Sequence, residues 1–128
     1  MNLLIDTHIL VWSLSDPGRL APICREALES PRNQIWVSSI SVWEIFVKAK
    51  IGKLRVPQGL VEAIVSQGMQ CLPFTAEHAT EVAKLPLHHH DPFDRALLAQ
   101  ASKEKLRFVT TDGALRQYAK HVDLLFTG

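Results

Sequence analysis

Runs of strand length that are apolar throughout, rather than at alternate residues, narrow what this chain can fold into. Asn2-Leu3-Leu4-Ile5, Gln34-Ile35-Trp36-Val37 and the stretch from Arg107 to Thr110 are such runs. A strand with one wet face alternates, whereas a strand covered on both faces does not. Helix-length segments lie between them. Thr7 to Leu14 turns helical directly after the first run, with Ile9, Leu10 and Leu14 on one side. Pro22 suits the first turn of a helix reaching Glu29. Ser38, Ser39 or Ser41 caps a helix that ends near Gly52. A linker over Leu54 to Pro57 leads to a helix from Leu60 to Val65, closed by Gly68. Thr75 caps a helix through Leu85, and Asp91 caps one that opens on Pro92 and runs to about Lys105. Gln70 to Pro73 and Val122 to Phe126 read as short strands, and Gly113 to Ala119 as a short helix. The pattern predicts an α/β, three-layer architecture, with a mostly parallel central sheet flanked by helices. Such sheets carry their functional residues beyond the carboxyl ends of the strands, where the strand order reverses.

At 128 residues the chain is expected to form one domain, 1–128, with a core large enough to need no staples. Its 47% hydrophobic and 21% charged residues match an ordinary soluble globular chain. No apolar stretch approaches a membrane span. The start, Met1-Asn2-Leu3-Leu4-Ile5-Asp6, lacks the basic segment of a secretory signal. Cys24 and Cys71 form no CxxC pair and read as reduced, buried thiols, which points to the cytoplasm. A net charge of +1 neither demands nor excludes nucleic acid, so any phosphate-binding surface has to come from local clustering.

Four acids fall where this architecture converges: Asp6 ends the first run, Glu44 lies inside an otherwise apolar helix, Asp94 sits in the first turn after Pro92, and Asp112 follows the run ending at Thr110-Thr111. Taken singly, three have ordinary explanations. Asp6 and Asp112 are good helix caps, and Asp94 complements a helix dipole. Glu44 is harder to dismiss, because Ile40, Val47 and Ile51 share its helical stripe. An unpaired ion there is expensive, although Lys48, one turn on, offers a structural ion pair. Two carboxylates about 4 Å apart repel by about 4 kcal/mol at an intermediate effective dielectric. A cleft that gathers four therefore implies a divalent cation, and hard oxygen donors point to Mg²⁺ or Mn²⁺.

Other residues carry weaker signals. Thr7 is placed to offer its hydroxyl to a carboxylate or to substrate, and Asp91 both caps its helix and stands near Asp94. Lys48, Lys50, Lys53 and Arg55 read either as a solvated helix end or as an edge that tracks phosphates. Arg95 is placed either to orient a phosphate or to pair with Asp91. His88, His89 and His90 are adjacent, which is poor spacing for a shared ion, so the run reads as solvated loop first and phosphate contact second. Trp12, Trp36 and Trp43 read as core.

With these acids in place the sequence resembles the PIN-domain ribonucleases, and among them the VapC-type toxins of bacterial toxin–antitoxin pairs. Leu3-Leu4-Ile5-Asp6-Thr7-His8, Ser41-Val42-Trp43-Glu44-Ile45, His90-Asp91-Pro92-Phe93-Asp94-Arg95 and Val109-Thr110-Thr111-Asp112 carry the likeness, the third most specifically. The resemblance spans the chain. It implies Asp6 and Asp112 on adjacent strands and Mg²⁺ or Mn²⁺ held by Asp6, Glu44, Asp94 and Asp112. It further implies endonucleolytic hydrolysis of RNA to 5′-phosphate and 3′-hydroxyl ends, a homodimer, and inhibition by a cognate antitoxin laid across the site. Many similar chains carry another acidic or amide residue soon after the last aspartate, where this one has Gly113, Ala114, Leu115 and Arg116.

Three other classes place acids on such a sheet or helix. A haloacid-dehalogenase-type phosphatase needs a second acid two residues after the first, where this chain has His8. A receiver-type domain needs paired acids near the first strand, where Asp6 stands alone. A non-catalytic protein-binding module remains, in which the acids are caps and ion pairs and the helix from Ile40 to Ile51 is a partner surface.

Overall fold

Leu4 points to one side of the central strand and Leu3 and Ile5 to the other, and this splitting of a continuous apolar run builds two separate cores. The computed structural model describes residues 1–56 and 58–128; of the expected linker, Pro57 lies outside the described residues. The strands are β1 (Asn2–Ile5), β2 (Gln34–Ser38), β3 (Gln70–Leu72), β4 (Arg107–Thr110) and β5 (Leu124–Phe126). They form one sheet in the order β3-β2-β1-β4-β5, with all pairings parallel. The strand order therefore reverses at β1, and the crevice between the ends of β1 and β4 is the switch point.

Helices cover both faces. The layer of α1 (Thr7–Ser15), α2 (Pro22–Glu29), α3 (Ser39–Lys50) and α4 (Leu60–Ser66) supplies Ile9, Leu10, Cys24, Ile45 and Ile64 against Leu3, Ile5, Val37 and Val109. On the other face, α5 (Ala76–Val82) and α6 (Pro92–Glu104), with a 3-10 turn over Gly113–Tyr118, cover Leu4 and Phe108 with Leu97, Leu98, Leu115 and Tyr118. The helix α6 is buried along six consecutive residues, Ala96 to Ala101, because α5 packs on its outer side.

Most expected ends hold closely, although α5 stops at Val82 and not at Leu85. Ser38 caps α3 by accepting from Ile40 N–H, and Thr75 and His78 form a reciprocal capping pair on α5. Gly52 (φ +76°) closes α3 with a Schellman pair, in which Lys53 N–H reaches Lys48 C=O and Gly52 N–H reaches Ala49 C=O. Three differences have physical causes. The last strand begins at Leu124, because Val122 is used as core beneath the turn that precedes it. Cys71 is exposed rather than buried, since β3 is an edge strand; Cys24 is buried, and both thiols are free. Trp43 is 59% exposed, with its ring edge-on to Phe93 at 5.0 Å between centroids, and so flanks the core instead of filling it. No helix is long and apolar enough to cross a membrane among the described residues.

Candidate metal centre and active site

Asp6 follows β1, and its N–H donates to Val109 C=O on β4, so the two strands remain joined past the last β1 residue. Its carboxylate is buried and held at both oxygens. Oδ1 accepts from Ile9 N–H at 2.9 Å, capping α1, and Oδ2 accepts from the Thr110 hydroxyl at 2.6 Å. The same hydroxyl oxygen accepts Asp112 N–H at 3.1 Å. Thr110 thus brackets the acid after β1 to the acid after β4. Asp112 in turn uses Oδ1 to cap the 3-10 turn through Ala114 N–H at 2.9 Å.

Glu44 enters from α3, a helix whose buried side is Ile40, Ser41, Glu44 and Ile45. The expected apolar stripe stops there, because Val47 and Ile51 are exposed. The Thr7 hydroxyl lies 2.6 Å from Glu44 Oε1 and 2.9 Å from Ser41 Oγ. With a single proton to give, Thr7 donates to the carboxylate, and the Ser41 hydroxyl donates to Thr7. Lys48 Nζ pairs with Glu44 Oε2 at 2.5 Å. Burial pulls the Lys48 ammonium down, but the Glu44 hydrogen bond and the carboxylates of Glu44, Asp91 and Asp94 outweigh it and hold it above its ordinary value. Lys48→Met is expected to destabilise the fold by about 1–3 kcal/mol, read as a lower denaturation midpoint. It strands a charge on the nearly buried Glu44, and the cost stays below the about 3–5 kcal/mol of a fully buried pair because the Lys48 side chain is 30% exposed.

Asp91 and Asp94 come from the start of α6. Asp91 Oδ1 accepts from Phe93 N–H at 2.8 Å and Asp94 N–H at 3.1 Å. This cap turns Asp94 inward, where its Oδ2 meets His89 Nε2 at 2.9 Å. Burial, then the Asp91 carboxylate and Glu44, push the Asp94 carboxyl up to about 6 against the opposing pull of His89. Burial also raises Asp6, more than the Thr110 hydroxyl and the Ile9 amide lower it.

These side chains line one pocket of about 220 Å³: Asp6, Thr7, His8, Glu44, Lys48, His89, Asp91, Asp94 and Asp112. The four acids singled out in the sequence all border it. A larger cleft, about 650 Å³, lies by Gln34, which begins β2, so it is at the amino end of the sheet. It carries one carboxylate, Glu29, against the guanidinium groups of Arg25 and Arg32, and has no convergent acids. The small acidic pocket is therefore the candidate site, and size is a poor guide here.

The pocket suits a hard divalent cation. Among the described residues Asp94 Oδ1, Asp112 Oδ2 and Asp91 Oδ2 accept no hydrogen bond, although each belongs to an acid lining the pocket. Burial and the neighbouring carboxylates disfavour the charged form of Asp94, and a cation bound in the pocket would offset both effects. Among the described residues, His89, Asp94 and Asp112 bring donor atoms within 4.8 Å of one another. Asp6 and Glu44 stand beside them with their oxygens already tied to Thr110, Ile9, Thr7 and Lys48.

Two expectations change. His89 lines the pocket, in place of the solvated loop or phosphate contact expected of the histidine run. Arg95 does not face the pocket. Its Nη1 donates to Pro86 C=O at 2.9 Å and the Tyr118 hydroxyl at 3.0 Å, and its Nη2 to Val82 C=O at 3.1 Å and Leu85 C=O at 3.4 Å. A guanidinium spent in this way orients no phosphate; it ties α6 to the loop carrying the histidines. Arg95→Lys is expected to cost about 2–4 kcal/mol in chemical denaturation, because one ammonium cannot serve so planar an array.

The PIN domain family model matches residues 3–121. The Ribonuclease VapC22 of Mycobacterium tuberculosis is 29% identical over 124 residues, covering 91% of this chain and 92% of that protein. Among solved structures, VapBC2 from Rickettsia felis bound to a promoter DNA fragment has a TM-score of 0.72 at 18% identity, covering 98% of this chain and 97% of that one. DNA-bound VapBC from Salmonella typhimurium has a TM-score of 0.71 at 17% identity, covering 100% and 99%. Those two likenesses speak for the fold; the match over most of the length supplies the family. This chain belongs to the PIN domain family.

Proposed function

We propose that this chain is a metal-dependent endoribonuclease and the toxin of a toxin–antitoxin pair. The observation that carries the reading is the meeting of Asp6, Glu44, Asp94 and Asp112 in one pocket at the switch point of a PIN fold. The whole chain acts as one unit, since every strand belongs to a single sheet.

In this reading Asp6, Asp94, Asp112 and Glu44 hold Mg²⁺ or Mn²⁺, directly or through water. The cation, when bound, activates water and offsets charge gathering on the scissile phosphate. Thr110 ties the Asp6 carboxylate to the Asp112 backbone, Ala114 N–H holds the Asp112 carboxylate, and the Thr7 hydroxyl holds Glu44. In the same reading Glu44, released from Lys48, would orient the attacking water and take its proton. Lys48, half-exposed at the rim, balances Glu44 and offers a positive charge to the phosphate chain. In-line attack by water leaves a 5′-phosphate and a 3′-hydroxyl, with no call on the ribose 2′-hydroxyl as nucleophile.

A cognate antitoxin is the proposed inhibitor, and a homodimer the proposed assembly. The exposed Trp43 and Phe46 on α3, with Ile51 just past its end, give a partner an apolar face. The protein-binding alternative is right about local roles, since Asp6, Asp91 and Asp112 do cap and Glu44 does pair. It does not account for their convergence on one pocket. Incubation of purified protein with RNA and Mn²⁺, followed by end analysis, separates the two. New 5′-phosphate ends that vanish with excess chelator are expected. Cleavage that persists in chelator, or ends carrying 2′,3′-cyclic phosphate, contradicts the mechanism.

A further inference from the structure

His89 is held in the pocket by contacts that need no cation. Its N–H and that of His88 both donate to the Tyr118 hydroxyl, at 3.0 and 3.1 Å, and Tyr118 is fully buried in the core. Arg95 donates to the same hydroxyl and to Pro86 C=O, closing the base of the loop. The His88 ring packs edge-on against Tyr118 at 5.2 Å between centroids. The loop over 86–90 is therefore anchored at its base and middle, and the anchor leaves the His89 imidazole directed at Asp94. The neighbouring histidines differ: His88 and His90 are exposed and do not line the pocket.

We propose that His89 is a nitrogen ligand of the cation, completing a His89–Asp94–Asp112 donor set that selects Mn²⁺ over Mg²⁺. This rests on the reading of the pocket as a metal centre and adds a ligand that the acids alone do not supply. The donor atoms of the three side chains already lie within 4.8 Å of one another, and the His89–Asp94 separation is 2.9 Å. Donors on adjacent positions around a small divalent ion are spaced by about 3 Å, given metal–ligand distances near 2.1 Å. Mg²⁺ prefers a shell of oxygen alone, whereas an imidazole suits the first-row transition ions. The competing role for His89 is support from behind, donating to an Asp94 oxygen that binds the ion. Support affects all divalent ions alike. Direct ligation discriminates between them and puts a nitrogen on the metal.

The test is pulsed electron paramagnetic resonance on the full chain loaded with Mn²⁺, made once with ordinary histidine and once with histidine carrying the heavy nitrogen isotope. Ligation predicts strong nitrogen modulation that changes with the label. It is lost in His89→Ala and kept in His88→Ala and His90→Ala. Calorimetric titration with Mn²⁺ and Mg²⁺ should show the Mn²⁺ preference falling at least about tenfold in His89→Ala. Absence of label-dependent modulation in the unaltered protein overturns the proposal, as does an equal loss of affinity for both ions. The labelled unaltered protein decides the matter even if His89→Ala folds poorly. Failure of the unaltered protein to bind Mn²⁺ at all is a different result, and it removes the metal-centre reading together with this one.

Discussion

Asp6→Asn is expected to lower RNA cleavage by about 10³-fold or more while raising the thermal midpoint of the metal-free protein. The loss follows from removing one carboxylate from the charge set that holds the cation, a change of several kcal/mol in transition-state stabilisation at about 1.4 kcal/mol per decade of rate. The gain in stability follows from the environment of Asp6. It is 5% exposed, and burial lifts its carboxyl above the ordinary range, so ionisation at neutral pH works against folding. Asparagine keeps the shape, caps α1 through the same oxygen, and can still meet the Thr110 hydroxyl. Parallel measurements of cleavage and of melting without metal check both halves. A variant that loses activity because it unfolds contradicts the account, since it makes Asp6 a structural residue.

Metal affinity is expected to fall at least about tenfold per pH unit below about pH 6 as Asp94 takes up its proton. Asp94 drives this, because its carboxyl is lifted from 3.8 to about 6, first by burial and then by Asp91. Below the lower value both folded and unfolded chains carry the proton, and the folded state bears no cost. As pH rises, the unfolded chain ionises first, and the stability present at low pH is lost through the folded value near 6. The loss is at most on the order of 3 kcal/mol, at about 1.4 kcal/mol per unit. A cation that binds ionised Asp94 recovers that free energy above about pH 6 and must displace a proton below it. The shift in melting temperature caused by saturating Mn²⁺ should therefore be large at neutral pH and shrink towards pH 5. A metal-induced shift that is constant from pH 5 to 8 contradicts this assignment of Asp94.

Most of the sheet was legible because it is buried on both faces. The runs Leu3-Leu4-Ile5 and Phe108-Val109 feed two cores at once, and no other common arrangement asks for unbroken apolar strands. The start of α6 was legible because Asp91 and Pro92 each do a job only a helix start requires. Asp6, Asp94 and Asp112 were legible by position, just past a strand or in the first turn of a helix, and Glu44 as a lone acid inside an apolar helix. What sequence order hid is contact between distant residues. His89 lies in the pocket because Tyr118, far along the chain, holds its backbone, and nothing in three adjacent histidines says which one turns inward. Arg95 reads from its neighbours as a phosphate ligand or a partner of Asp91, but the carbonyls of Val82, Leu85 and Pro86, gathered at the end of α5 and in the loop after it, claim the guanidinium. Trp43 looked like core from its bulk; α3 turns its buried side to Glu44 instead, leaving the indole outside.

The central claim is that side chains from β1, α3, α6 and β4 share one cation. A crystal of this protein soaked in Mn²⁺ and measured at the manganese absorption edge tests it most directly. The account predicts an anomalous peak in the pocket, bonded to Asp94 and Asp112, with Asp6 and Glu44 reached directly or through one water. A pocket without a peak, or manganese found only at scattered surface carboxylates, contradicts it.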